Sequence, residues 1–167
     1  MTPKPKPVKH RKPPRKVVEK QLEAMAKQII FWRDGSECVE RFIDPRCRPG
    51  IQWGHVVPQG KSPKLVYSLS NVFPQCPNHN LLHNKKDPVY NDWYVRQFGA
   101  RAYNDLCQFQ RDNIGTQYCL WELENMLERY DELFENHFYV GLSIEELVAA
   151  GYYGEIIQAA WKLEGRI

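Results

Sequence analysis

The side chains best suited to chemistry lie between Cys38 and Lys86. His55 stands in the run Ile51-Gln52-Trp53-Gly54-His55-Val56-Val57. Asn71 follows 16 residues later, Asn80 nine after that, and Asn84 one helical turn further on. Together such groups can hydrolyse a phosphodiester. That reaction needs a base to activate water and a divalent cation to stabilise the phosphate and the leaving oxygen. A neutral imidazole is a suitable base at physiological pH. Amide oxygens on a helix can ligate a hard cation, Mg²⁺ or Mn²⁺, and leave positions for water and phosphate. An Asn in the connecting loop can bond the backbone and hold the histidine strand against the helix. Each residue alone has a plainer reading, as a strand histidine, a turn asparagine or a helix-surface amide. The inference rests on their order and spacing.

These groups need elements to carry them. Ile51–Val57 reads as a strand closed by Pro58 and Gly60, and Val66–Phe73 as a second extended stretch. Pro77 can open a helix that runs through Leu81, Leu82 and Lys85. The order over 51–86 is therefore strand, loop, strand, helix. Before it, Val18, Leu22, Met25, Ile29 and Ile30 share one face of a helix that ends at Asp34-Gly35. Behind it the pattern is helical: Asn91–Phe98 up to Gly99, Ala100–Arg111, and an amphipathic Thr116–Phe138. A capping box at Ser143–Glu146 opens a short helix, and Glu155–Leu163 forms a last one. Cys107 and Cys119 fall on apolar helical faces and read as core. The expected class is α+β: a basic arm over 1–16, a helix over 17–35, a small site-bearing core over 36–99 and a helical region over 100–167.

Gly54 to Gly60-Lys61-Ser62 superficially suggests a phosphate loop. Five residues separate the glycines where four are required, and Pro63 would break the following helix, so a nucleotide-hydrolase reading fails.

The segment 51–86 resembles the HNH nuclease family, and the resemblance extends over about 36–100. His55, followed by Val56-Val57-Pro58, matches the family's general base. Asn71 matches the middle residue that supports the loop, and Asn80 the helix-borne metal ligand. The result is an H-N-N variant, as in the HNH domain of RNA-guided CRISPR nucleases. The run Gln75-Cys76-Pro77-Asn78-His79-Asn80 is similar to phage NinG-type recombination proteins, in which a CxxC precedes the Asn. Many members carry Asp or His just before the base as a second cation ligand; here that position is Gly54. The resemblance then implies that Asn84 or His83 completes the cation site, or that water does. It also implies a ββα-metal core with a structural Zn²⁺, because many members place cysteine pairs around the motif. Cys38, Cys47, Cys76 and His79 would form a closed Cys₃His set. An odd count of five cysteines without an apolar leader already favours metal binding over a disulfide framework.

Charge points to the same class of partner. Residues 1–20 hold eight Lys/Arg and one Glu, while the other 147 residues hold 15 Lys/Arg and 19 Asp/Glu. A basic arm on a mildly acidic body suits nucleic acid, with DNA the expected substrate. Arg11, Lys12, Arg15 and Lys16 on the arm, and Lys61, Lys64, Lys85 and Lys86 around the motif, are the expected phosphate contacts. The C-terminal helices suit a protein partner or self-association. No apolar run reaches the roughly 20 residues of a membrane helix, and a cytoplasmic protein is expected, in the host cytoplasm if phage-encoded. The competing expectations are a non-catalytic zinc-dependent nucleic-acid-binding protein on the same scaffold, and a helical interaction protein in which zinc is only a staple.

Overall fold

The computed structural model describes residues 13–138. The basic arm up to Lys12, the capping box at Ser143 and the helix expected over Glu155–Leu163 lie outside the described residues, and so do Arg11 and Lys12. Within them the chain is α+β. Its order is α1 (Arg15–Asp34), β1 (Gln52–His55), β2 (Val72–Gln75), α2 (Pro77–Asn84), α3 (Val89–Asp112) and α4 (Leu120–Phe138). None of the described helices is long and apolar enough to cross a membrane.

Helix α1 starts at Arg15, so Arg15 and Lys16 belong to it and not to the arm. Arg15 is held there by Glu19 one turn on (2.7 Å) and by the Tyr118 carbonyl (2.7 Å). Gly35 ends the helix at φ 74°, a left-handed conformation that suits glycine. The apolar stripe Val18, Leu22, Ala26, Ile29 and Ile30 is buried against Leu123 and Tyr130 of α4 and against Leu69 and Val72. A second core gathers Val56, Val57, Leu65 and Phe73 with Tyr90, Trp93, Tyr94, Ala102 and Leu106 of α3. The short hairpin therefore lies between α1/α4 and α3. That burial stabilises two four-residue strands that could not persist alone.

The strands pair antiparallel, with Gly54 opposite Phe73 and His55 opposite Val72. The second strand differs from expectation. Residues 66–71 are bends and turns, and the strand begins at Val72. Tertiary groups take the polar atoms that a ladder would have used. Arg33, fully buried, donates to the carbonyls of Leu69 and Val72 (2.9 Å to Val72) and lies over the Phe73 ring. Asp34 pairs with its guanidinium, as burying a charge requires.

Helix α3 is broken at Gly99 (φ 88°, ψ 157°), whose non-helical backbone divides it into two helical segments, as expected. Helix α4 begins at Leu120, four residues later than the pattern suggested. Cys119 consequently precedes the helix and is exposed, which corrects its reading as core; Cys107 is half-buried beside the α3 core.

Candidate metal centre and hydrolytic pocket

Cys38, Cys47, Cys76 and His79 converge from the 35–50 loop and the first turn of α2, with all four ligand atoms within 4.8 Å of one another. Cys38 Sγ lies 3.2 Å and Cys47 Sγ 3.6 Å from His79 Nδ1. A tetrahedral zinc with Zn–S of about 2.3 Å and Zn–N of about 2.0 Å gives S···N edges of about 3.5 Å. The donor set and its spacing fit that ion. Local backbone geometry prepares the thiols. Cys76 caps α2, with its sulfur 3.4 Å from His79 N. Burial acts to raise its pKa, but the N–H groups of His79, Arg48 and Asn78 outweigh it and bring the thiol below its ordinary value. Cys38 has less help, and burial pushes its thiol up to about 12. A buried thiol of that kind becomes a thiolate when a cation accompanies it.

His79 is fixed from behind. With Nδ1 facing the sulfurs, Nε2 faces Asp44 Oδ1 at 3.5 Å, the outer edge of hydrogen-bond reach, and has no closer partner. Asp44 is itself buried and gripped by Arg46, which holds its carboxyl well below the usual range, helped by the Arg46 N–H. A carboxylate behind a ligating imidazole is the arrangement that orients metal-bound histidines. Glu40 lies 3.9 Å from His79 Nδ1, and burial raises its pKa.

A second site opens beside the first. Trp53, His55, Pro58, Gln59, Gly60, Asn80 and Asn84 line a cavity of about 340 Å³. The structure thus brings His55, Asn80 and Asn84 to one place, from the end of β1 and one face of α2. His83 points elsewhere: its Nε2 lies 3.2 Å from the Val56 carbonyl and its ring packs on Tyr90.

His55 is buried but for its edge on this cavity. Its Nε2 lies 3.0 Å from the Val66 carbonyl, so the hydrogen of the neutral ring belongs on Nε2 and Nδ1 is the proton acceptor. Gln59 Nε2 is placed 3.2 Å from the same nitrogen. With the ring proton on Nε2, the amide must rotate to present its oxygen there. Burial lowers the His55 pKa, while the Val66 and Trp53 carbonyls act the other way.

Asn71 lines neither site but sets the loop between them. Fully buried, it accepts from Val57 N (2.7 Å) and donates to the carbonyls of Val57 (3.1 Å) and Leu65 (3.0 Å). It thereby fixes the turn whose next residue, Val66, meets His55. Asn80 donates from Nδ2 to Gln52 Oε1 (3.0 Å), which leaves its own oxygen as the free acceptor.

The glycine before His55 has a steric reason. A Cβ on Gly54 would overlap the Oε1, Cδ and Cγ atoms of the Gln75 side chain. Gln75 is fully buried and donates to Glu40 (2.5 Å). Any carboxylate at position 54 would have to displace it.

Among the expected phosphate contacts, Lys61, Lys85, Lys86 and Lys16 are exposed. Lys64 is engaged with α4, 3.2 Å from Glu122 and over the Tyr118 ring. Sequence reasoning missed Gln52, Asp44 and Gln75, whose partners Asn80, His79 and Glu40 are distant in the chain, and also Trp53 and Gln59, which meet the cavity only from β1 and the turn after it. Asp44, an acid between two cysteine ligands, was the one with a local signal. Comparison with protein-family models, with curated proteins and with solved structures finds no match for this chain.

Proposed function

We propose that the protein is a metal-dependent endonuclease of the HNH type, acting on DNA, with a ββα-metal core formed by β1, β2 and α2 and stapled by zinc. One observation carries this reading. His55, Asn80 and Asn84 share one cavity, while Asn71 holds the intervening loop by three hydrogen bonds. His55 takes the proton of the attacking water on Nδ1, with the Val66 carbonyl steadying the imidazolium that results. Asn80 and Asn84 offer amide oxygens to Mg²⁺ or Mn²⁺, which would neutralise charge on the phosphate and leaving oxygen. Cys38, Cys47, Cys76 and His79 hold Zn²⁺ and tie the 35–50 loop to the start of α2. A zinc held by these four residues would serve structure and not hydrolysis, because a Cys₃His set of that kind would be closed to water. Phage DNA recombination is the setting that the resemblance to NinG-type proteins suggests.

The second reading is a zinc-dependent nucleic-acid-binding protein that does not cleave. Its support is Gly54, where a cation-binding side chain is absent and Gln75 fills the space. A cleavage assay on duplex, branched and single-stranded DNA, with Mg²⁺, Mn²⁺ or EDTA, separates the two. Cation-dependent cutting that falls at least about 10²-fold in a folded His55→Ala variant is expected. Binding without cutting in every condition would leave the second reading.

A further inference from the structure

The four residues that fit zinc are not equally sheltered. Cys38, Cys76 and His79 are buried, and Cys47 is exposed. Cys47 stands between Arg46 and Arg48, and Arg48 is exposed beside it. Access to solvent and cationic neighbours are what make a thiol open to oxidation. A second thiol is within reach. The sulfurs of Cys38 and Cys47 lie 3.2 Å and 3.6 Å from the same atom, His79 Nδ1, and within 4.8 Å of each other. Both belong to the 35–50 loop, whose end residues Gly35 and Gly50 have positive φ. Cys38 is anchored, because the next N–H, that of Val39, bonds the Pro74 carbonyl (3.0 Å). Cys76 is fixed in the cap of α2, where its sulfur takes the His79 N–H (3.4 Å). A bond from Cys47 to Cys76 would pull that sulfur off the cap. A bond from Cys47 to Cys38 disturbs only the loop.

Resting on the reading of these four residues as zinc ligands, we propose that Cys47 is an oxidation site, at which hydrogen peroxide joins Cys47 to Cys38 in a disulfide and the chain gives up its zinc. The Cys47 thiolate attacks one peroxide oxygen, the O–O bond breaks and hydroxide leaves, giving a sulfenic acid. The Cys38 thiolate then attacks the Cys47 sulfur, the S–O bond breaks and a second hydroxide leaves. Two thiolates and one peroxide become one disulfide and two hydroxides; the sulfurs lose the two electrons that the peroxide gains. Cys76 and His79 are the ligands that remain, both on α2 and too few for a closed site. The tie between the 35–50 loop and α2 is lost with the ion. Reduction by a thiol reverses the step and restores the set.

The test uses the full chain purified without chelator. Hydrogen peroxide is added and zinc release is followed with the chromophoric chelator 4-(2-pyridylazo)resorcinol. Peptides are then mapped without reduction by mass spectrometry. Release of the bound zinc, a Cys38–Cys47 disulfide, and recovery of zinc binding after dithiothreitol are expected. Cys47→His keeps a four-ligand Cys₂His₂ set without the exposed thiol, and its release should be at least about tenfold slower. Cys119 is the other exposed thiol and lies outside the cluster, so Cys119→Ser should release zinc at the wild-type rate. Zinc retained under peroxide, a disulfide that uses Cys76, or equal rates for Cys47→His and the wild type would overturn the inference. Should Cys47→His fail to hold zinc, the wild-type peptide map decides alone. Zinc retained under peroxide removes this inference and leaves the zinc site standing, whereas a chain purified without zinc removes both.

Discussion

Asn71→Ala tests the chain of contacts on which the proposed hydrolytic site depends. The side chain is wholly buried and makes three hydrogen bonds, two to Val57 and one to Leu65. Each is worth roughly 1 kcal/mol net, and the Val57 N–H would be left buried without a partner, so the expected loss is about 3 kcal/mol. Asn78→Ala is the control. It removes one exposed bond, to the Arg46 carbonyl (2.8 Å), and should cost no more than about 1 kcal/mol. The assay is urea unfolding at fixed zinc concentration, because ligand binding to the folded state shifts apparent stability. The catalytic consequence follows from geometry. Releasing the Leu65 carbonyl loosens the turn that presents the Val66 carbonyl to His55 Nε2, so cleavage by the folded fraction should fall as well. A loss below about 1 kcal/mol, or equal losses for Asn71→Ala and Asn78→Ala, would refute the reasoning.

Protein purified without chelator should contain one zinc per chain by elemental analysis. Cys76→Ser should lose it, and Asp44→Ala should keep it with roughly 10- to 100-fold lower affinity in a chelator competition. Unchanged affinity in Asp44→Ala would detach Asp44 from His79. Burial lowers the pKa of both His55 and His83 from the ordinary 6.5, so both are neutral in the fold where the unfolded chain has begun to take up protons. Stability from these two groups is therefore complete above about 6.5 and declines as pH falls from there to their lowered values. The acid limb of cleavage should likewise have its midpoint below 6.5, and a midpoint at or above it would contradict a buried base. Deleting residues 1–12 removes five Lys/Arg and no acid. DNA affinity should fall, and the slope of log K against log salt should flatten by about 0.9 for each phosphate that the arm no longer neutralises. An identical slope would assign the arm another role.

The sequence by itself determined a good deal. The stripe Val18, Leu22, Ile29 and Ile30 requires a helix with one buried face, and α1 has it. Proline at the first turn of α2, and glycine at positions 35 and 99, mark boundaries through local backbone preference that no distant contact overrides. The four metal-ligand types near one segment were equally legible, since thiols and imidazole declare their chemistry without a fold. Tertiary structure decided the rest. Residues 66–71 begin with the strand-formers Val66 and Tyr67 but turn, with Arg33 taking the Leu69 carbonyl and Asn71 the Leu65 carbonyl on either side. On α2, Asn80 and Asn84 line the cavity while His83 packs on Tyr90. Spacing allows either choice, and the contacts of His83 with the Tyr90 ring of α3 and the Val56 carbonyl turn the Asn80/Asn84 face to the cavity. Gly54 reads in the sequence as a missing ligand. In the fold it is the space that Gln75 needs, reached from the neighbouring strand, because hydrophobic burial brings residues 54 and 75 together although 20 others separate them in the chain.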